Sequence, residues 1–313
     1  MINLYYKIYN YSLQLPVLLK KLHLDSLLRH LVVIIGNIYF PIYFKCTNKK
    51  YYLNKEISLY HGRQIVVSLT SFPVRIGVVW LVVESLLHQK LPPHKIILWL
   101  SREQFSSINV LPQKLLNQCK RGLDIRLVDG DIRSHKKYAY TFREYPNDYV
   151  ILVDDDILYP EYFISELLVD MDKNDRVNCS YGAIMKYNSQ KELMPYNKWP
   201  IFIEQKTDVP EFFFGSGGGT AFIPSRLHAD TCNMDLAYRL CPLADDVWLN
   251  AMCRLSKVKC IKVRGKLIPP IYIENNQTLC SKNVGKLQND KQIENVRNYY
   301  KSNLDIDPYE CII

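Results

Sequence analysis

The chain has 313 residues, 48% hydrophobic and 23% charged, a balance that excludes a disordered polypeptide and suits one large domain with appendages. Its formal charge of +9 favours an anionic partner such as a phosphorylated substrate or anionic lipid. Nucleic acid is set aside, because the sequence has neither a basic run interleaved with aromatics nor zinc-finger spacing. The nine cysteines are odd in number and contain no Cys-x-x-Cys pair, which argues against a thiolate metal site or a redox pair and for reduced, buried thiols in a cytosolic protein.

Residues 1–60 form a segment of their own, with eight lysines and arginines against Asp25 and Glu56. The apolar stretch Leu31 to Phe44 has no ordinary signal-peptide form and is too interrupted for a confident bilayer span. With Lys45, Lys49 and Lys50 behind it, it suits either an interfacial position on an anionic membrane or a helix docked on the next domain.

From residue 61 to 265 the pattern alternates. Gln64 to Leu69 is a first strand, rich in β-branched residues, ending at Thr70-Ser71-Phe72-Pro73-Val74-Arg75. A helix is predicted over Val78 to His88, a strand over Lys95 to Leu100, a short helix over Pro112 to Cys119 and a strand over Asp124 to Val128. Tyr138 to Tyr145 reads as a helix after the basic turn His135-Lys136-Lys137. Strand 149–153 then runs into Asp154-Asp155-Asp156. Alternation along an extended chain would put Asp154 and Asp156 on one side and Asp155 on the other. Three carboxylates at a strand end repel each other, and a divalent cation with a polyphosphate ligand would relieve the conflict; a solvated acidic turn closed by Pro160 is the plain alternative. Strands alternating with helices predict an α/β fold with a mostly parallel sheet covered on both faces.

A helix is predicted over Glu161 to Met171 and a strand over Asn178 to Ala183. Residues 187–214, rich in lysine, proline and aromatics, read as a long surface excursion whose Tyr196, Trp199 and Phe213 either stack on a sugar or anchor the loop. Gly215-Ser216-Gly217-Gly218-Gly219-Thr220 permits close backbone approach or a tight turn, without the spacing of a Walker A loop or a dinucleotide fingerprint. Asp245-Asp246 opens an amphipathic helix that includes Trp248; one aspartate can cap it, and a pair exceeds what capping needs. Residues 266–313 form a C-terminal extension, with Leu267 to Ile273 as edge strand or loop and Gln292 to Tyr300 as a terminal helix.

In that order, four features resemble the family-2-like glycosyltransferases of the GT-A fold, of the bacterial surface-polysaccharide type. They are Thr70 to Arg75 at the end of the first strand, Glu84-Ser85-Leu86-Leu87-His88-Gln89 before Pro93, Asp154-Asp155-Asp156, and Gly218-Gly219-Thr220 followed by Asp245-Asp246, together covering roughly residues 64–262. The resemblance implies inverting transfer from a nucleotide-diphosphate sugar, with a UDP-sugar favoured, to a free or lipid-linked glycan in capsule, lipopolysaccharide or exopolysaccharide synthesis. It implies Mn²⁺ or Mg²⁺ on Asp156, with Asp154, and a base at Asp246 beside Asp245. Thr70, Ser71, Arg75, Lys137, Asp154 and Asp155 would meet the nucleotide. Trp199, Gly218, Gly219, Thr220 and Trp248 would meet the acceptor. The implied location is cytoplasmic, peripheral on the inner membrane; the oligomeric state is left open. Two departures stand out: Trp99-Leu100-Ser101 occupies the place of an acidic residue near the nucleobase, and the family's Glu-Asp pair is Asp-Asp. A nucleotidyltransferase of similar fold and a non-catalytic carbohydrate-binding protein are the rival readings. The first would want a glycine-rich first loop, and the second leaves two acidic clusters without a purpose.

Overall fold

A computed structural model describes residues 2–47, 53, 58–172, 175–201, 209–263, 268–271 and 288–311. A seven-stranded sheet runs in the order β3-β2-β1-β4-β8-β5-β9. Its strands are β1 (Ile65–Thr70), β2 (Lys95–Ser101), β3 (Leu123–Val128), β4 (Tyr149–Leu152), β5 (Arg176–Cys179), β8 (Thr220–Phe222) and β9 (Lys259–Lys262). Pairs β1–β2, β2–β3, β1–β4 and β5–β9 are parallel, while β8 runs antiparallel to both β4 and β5. The α/β class and the largely parallel sheet are therefore as expected, with one reversed strand supplied by the segment after the glycines.

The alternation within β4 sorts the core. Tyr149, Ile151 and Val153 pack in one buried cluster, and Val150 and Leu152 in the other, on the opposite face of the sheet. Helix α4 (Val79–Leu87) covers the first face, and α10 (Asp245–Leu255) with the C-terminal helix α11 (Gln288–Leu304) covers the second. Each fully buried aliphatic side chain in these clusters contributes about 1.5–3 kcal/mol.

The order places the cleft. The chain winds from β1 outward through β2 to β3, then returns to put β4 on the other side of β1. In open α/β sheets such a reversal leaves a crevice at the carboxyl ends of the two diverging strands, here those carrying Thr70-Ser71 and Asp154 to Asp156.

Several expectations change. The helix expected over Tyr138 to Tyr145 is two short turns, α6 (Lys136–Ala139) and α7 (Thr141–Glu144), beginning earlier because ion pairs allow Lys136 and Lys137 to be buried. The helix expected over Glu161 to Met171 shrinks to α8 (Phe163–Leu167); Asp170 at φ 54° cannot continue a right-handed turn. The strand at 178–183 splits, β5 joining the main sheet and β6 (Gly182–Ile184) pairing with β7 (Phe212–Phe214) in a small second sheet. That second sheet shows that the 187–214 stretch is not a simple surface excursion: Trp199, Phe212, Phe213 and Phe214 are all core residues. Residues 202–208 lie outside the described part. Of the stretch Leu267 to Ile273, the described Pro270 makes an antiparallel bridge to Ile157 and the Ile271 N–H donates to the Asp156 carbonyl. All eight described cysteines are free; Cys280 lies outside the described residues.

The N-terminal segment is three helices, α1 (Ile2–Leu13), α2 (Val17–Lys21) and α3 (Leu24–Thr47). Val32, Val33, Gly36, Phe40 and Phe44 of α3 face inward, and the Tyr5 ring of α1 lies where a Cβ on Gly36 would sit.

Candidate active site

The first acidic cluster does not follow strand alternation, because β4 ends at Leu152 and Asp155-Asp156 lie in a turn. Asp155 is buried and accepts from the Ser71 hydroxyl at 2.6 Å and from Arg75 Nη1 at 2.7 Å. The same Arg75 nitrogen lies 2.9 Å from Asp156 Oδ2. Arg75 thus clamps Asp155 and Asp156 together, while Asp154 Oδ1 lies 3.3 Å from Lys137 Nζ. Burial, and then the charge of Asp154, push the Asp156 carboxyl up to about 7 despite Arg75.

Lys137 joins the two acidic clusters. Its ammonium is buried and also lies 3.0 Å from Asp245 Oδ2. Asp245 and Asp246 are the first two residues of α10, with Ala244 as N-cap, so neither aspartate caps the helix. Asp245 accepts from the Ser216 hydroxyl at 2.6 Å. Burial would raise it, but Lys137, His135 and that hydroxyl together hold it at about 2. Asp246, half-buried, is pushed up to about 7 by desolvation and by the Asp245 charge. Two adjacent carboxylates are therefore driven apart, one firmly ionised and one poised near neutrality.

The glycine turn is built around Asp154. Gly217 accepts from the Asp154 N–H at 2.8 Å, and a Cβ on Gly217 would lie 1.6 Å from Asp154 Oδ1. Gly219 adopts φ 108°, and a Cβ there would meet the Phe163 ring at 2.4 Å. Gly218 lies under Tyr181, a residue that is 38% exposed. Thr220 opens β8 with its side chain buried, donating to the Gly215 carbonyl at 3.1 Å.

Thr70, Ser71, Arg75, Lys136, Lys137, Asp154 and Asp155, with Gln104, Asp131, Arg133 and Ser134, line one cleft of about 400 Å³. Its size is that of small-molecule sites, and its lining carries the cations Arg75, Arg133, Lys136 and Lys137, of which Arg75, Lys136 and Lys137 are ion-paired with aspartates. Trp99 takes no place in it: the indole is buried, donates to Thr141 Oγ1 at 2.8 Å and stacks on Tyr140.

Two expected acceptor residues lie elsewhere. Trp248 is fully buried, its indole donating to the Thr231 carbonyl at 3.0 Å beside Tyr300. Trp199 is buried between Tyr196 and Phe213 and donates to the Met194 carbonyl at 2.8 Å. Both aromatics are spent on packing, which hydropathy cannot distinguish from sugar stacking.

Sequence reasoning missed Gln292 of α11. Its buried amide oxygen accepts from the Leu243 and Ala244 N–H groups at 2.8 and 3.0 Å, directly before the aspartate pair. Tyr309 donates to the Val247 carbonyl in the first turn of α10. The C-terminal extension therefore holds the start of the helix that carries Asp245 and Asp246. No local pattern marks such a partner, which lies more than forty residues away.

No protein-family model matches the chain, and no curated protein does. Among solved structures, the chain is similar to a mannosyltransferase from Pyrobaculum calidifontis in complex with GDP-Man and Mn²⁺, at 9% identity, covering 90% of this chain and 78% of that one, with TM-score 0.47. It is similar to 4-diphosphocytidyl-2C-methyl-D-erythritol synthase from Anaerococcus prevotii at 15% identity, covering 72% and 99%, with TM-score 0.43. It is also similar to glucosyl-3-phosphoglycerate synthase from Mycobacterium tuberculosis in complex with Mn²⁺, UDP and phosphoglyceric acid, at 14% identity, covering 74% and 79%, with TM-score 0.43.

Among the described residues, no three His, Cys, Asp or Glu side chains converge as a ready metal cage. Asp154 and Asp156 nonetheless suit one divalent cation shared with a ligand. They are oxygen donors close enough for the Asp154 charge to raise Asp156, and Asp154 lines the cleft, from which a ligand oxygen could complete the coordination.

Proposed function

We propose that the chain is an inverting, metal-dependent glycosyltransferase that moves a sugar from a nucleotide diphosphate, with a UDP-sugar favoured, to a glycan hydroxyl in surface-polysaccharide synthesis. The observation that carries this reading is Lys137. One buried cation links Asp154 at the exit of β4 to Asp245 at the start of α10, which supports reading a donor site and a base as neighbours.

Arg75 and Ser71 fix Asp155 and so set the turn that presents Asp154 and Asp156. Those two carboxylates would hold Mn²⁺ or Mg²⁺, which when bound neutralises charge developing on the leaving diphosphate. Thr70, Arg75 and Lys137 contact the nucleotide diphosphate at the cleft wall. Asp246, poised near neutral pH, takes the proton of the acceptor hydroxyl as its oxygen bonds to the anomeric carbon. The bond from that carbon to the phosphate oxygen breaks, the electron pair leaves with the diphosphate, and the single displacement inverts the centre. Asp245 stays ionised beneath Lys137 and keeps Asp246 basic. The acceptor side is read at Gly218, Gly219 and Thr220, with the exposed Tyr181 ring as the sugar-stacking surface in place of Trp199 and Trp248. A lipid-linked glycan and a position on the cytoplasmic face of the inner membrane suit this reading.

The test is a panel of nucleotide sugars assayed for Mn²⁺-dependent binding and slow donor hydrolysis, with wild type, Asp156→Ala and Asp246→Asn. Wild type should bind a nucleotide-diphosphate sugar only with metal. Asp156→Ala should lose that binding. Asp246→Asn should bind the donor but lose about 10²–10⁴-fold in transfer to an acceptor. Preference for a nucleoside triphosphate would point to nucleotidyl transfer, and absence of metal-dependent nucleotide binding would overturn the proposal.

A further inference from the structure

The N-terminal helices have an outward face that the fold leaves bare. Thirteen of the twenty-five exposed large hydrophobic side chains among the described residues lie before residue 43. On α3, Leu27, Leu31, Ile34, Ile35, Ile38 and Ile42 recur at helical spacing on the side opposite the buried Val32, Val33, Gly36, Phe40 and Phe44. Ile35, Ile38 and Ile42 are each at least 60% exposed. Helices α1 and α2 extend the same character with Leu4, Tyr11, Val17, Leu18 and Leu22. A contiguous apolar surface of this kind marks an interaction site.

Charge identifies the partner. Across residues 2–47 the charged side chains are Lys7, Lys20, Lys21, Arg29 and Lys45 against Asp25, which Arg29 already pairs at 2.9 Å. A second copy of the chain would bring these cations against their own kind, whereas an anionic lipid surface pairs with them while its acyl region receives the leucines and isoleucines.

The packing also sets the mode. By length and composition α3 could cross a bilayer. Its inner face, however, is committed to the protein: Phe40 and Phe44 lie in the main core, Tyr5 seats on Gly36, and Thr47 Oγ1 is 3.0 Å from the His88 ring. Crossing would strip these contacts. We propose that the outer face of α1–α3 docks flat on an anionic lipid bilayer, with α3 lying in the interface rather than through it.

This surface is joined to the cleft. The Tyr6 hydroxyl of α1 donates to the Leu158 carbonyl at 2.7 Å, two residues beyond Asp156. Docking therefore holds the strand-end turn near the lipid surface, where an acceptor carried on lipid would be presented. The docking itself does not depend on the proposed reaction.

Sedimentation of the full chain with vesicles tests this, using phosphatidylglycerol–phosphatidylcholine mixtures, phosphatidylcholine alone, and an alkaline carbonate wash. Wild type should pellet with the anionic vesicles, bind the neutral ones more weakly, and be released by carbonate. Ile35→Asn/Ile38→Asn/Ile42→Asn should lose at least about tenfold in partitioning while keeping its thermal unfolding temperature and its nucleotide binding. Leu27→Asn/Leu31→Asn, on the same face, gives a second arm, and Lys20→Glu/Lys21→Glu should lose the preference for anionic lipid. Wild type that stays in solution, or variants that pellet equally, would overturn the proposal. Resistance to carbonate would instead mean a crossing helix. A wild-type dimer in light scattering that the isoleucine variant dissolves would give the face to a second copy. Donor binding that survives while vesicle binding fails separates this proposal from the one about the reaction.

Discussion

Replacing Lys137 with methionine removes the cation that pairs with both Asp154 and Asp245 and leaves an apolar chain of similar length in its place. Both Lys137 and Asp245 are nearly inaccessible, with side-chain exposures of 4% and 10%. Removing one partner of a buried ion pair costs about 3–5 kcal/mol, because the other charge is left uncompensated. The lower end applies here. Ser216 still donates to Asp245, and Asp154, at 41% exposure, is screened by water and adds little. A loss of about 3 kcal/mol in a chain of this length lowers the unfolding temperature by about 5 °C. Differential scanning calorimetry of wild type, Lys137→Met, Asp245→Asn and the double variant measures it. In the double variant no charge is stranded, so most of the loss should return, and the coupling should appear as a double-mutant interaction of about 2 kcal/mol or more. Metal-dependent nucleotide binding should stay impaired in the double variant, since the cleft still lacks one of its four cations. Additive single effects, or a double variant as unstable as Lys137→Met, would refute the idea that Lys137 and Asp245 form a buried pair that holds the two acidic segments together.

Gln292→Leu should lower transfer through kcat, with nucleotide binding unchanged, while Gln292→Glu, which can still accept from Leu243 and Ala244, should recover most of it; steady-state kinetics separates the two. Gly217→Ala should abolish metal-dependent nucleotide binding in calorimetric titration, because the new methyl group would occupy the position of the Asp154 carboxylate. His135 is buried, its Nε2 donating to the Cys241 carbonyl and its Nδ1 accepting from Tyr138, and burial holds it below the usual histidine range. The unfolded chain then binds one more proton as pH falls through about 6.5, so this histidine contributes stability above that pH and loses it below, at up to about 1.4 kcal/mol per pH unit. The raised Asp156 and Asp246 act in the opposite sense, so the measurement is a difference: urea unfolding at pH 7.5 and 5.5 should show His135→Gln losing less stability on acidification than wild type. An equal loss would refute the assignment.

The first strand, the second strand and the acidic strand end were legible because their signals are local. Runs such as Ile65 to Leu69 and Tyr149 to Leu152 are apolar, β-branched or aromatic, and long enough to cross a sheet. Aspartates directly after such a run must sit at its carboxyl edge, and the order of strands and helices was enough to predict a largely parallel sheet. Periodicity likewise marked α4 and α10. Roles that depend on what lies opposite were not legible. Trp199 and Trp248 read as aromatics in or beside candidate site segments, and only packing shows that they are buried. The glycine run announced a close approach, yet that Gly217 meets Asp154 is decided by β8 returning antiparallel beside β4. Lys137 read as a nucleotide contact in a basic turn, and nothing local in the sequence shows that two aspartates, one from a strand end and one from a helix start, close on it. A sequence records the period and chemistry of each segment, because those act over a few residues. The partner that compensates a buried charge or hydrogen-bonds a backbone N–H or carbonyl is set by which segments the sheet order brings together, and only the tertiary structure decides that.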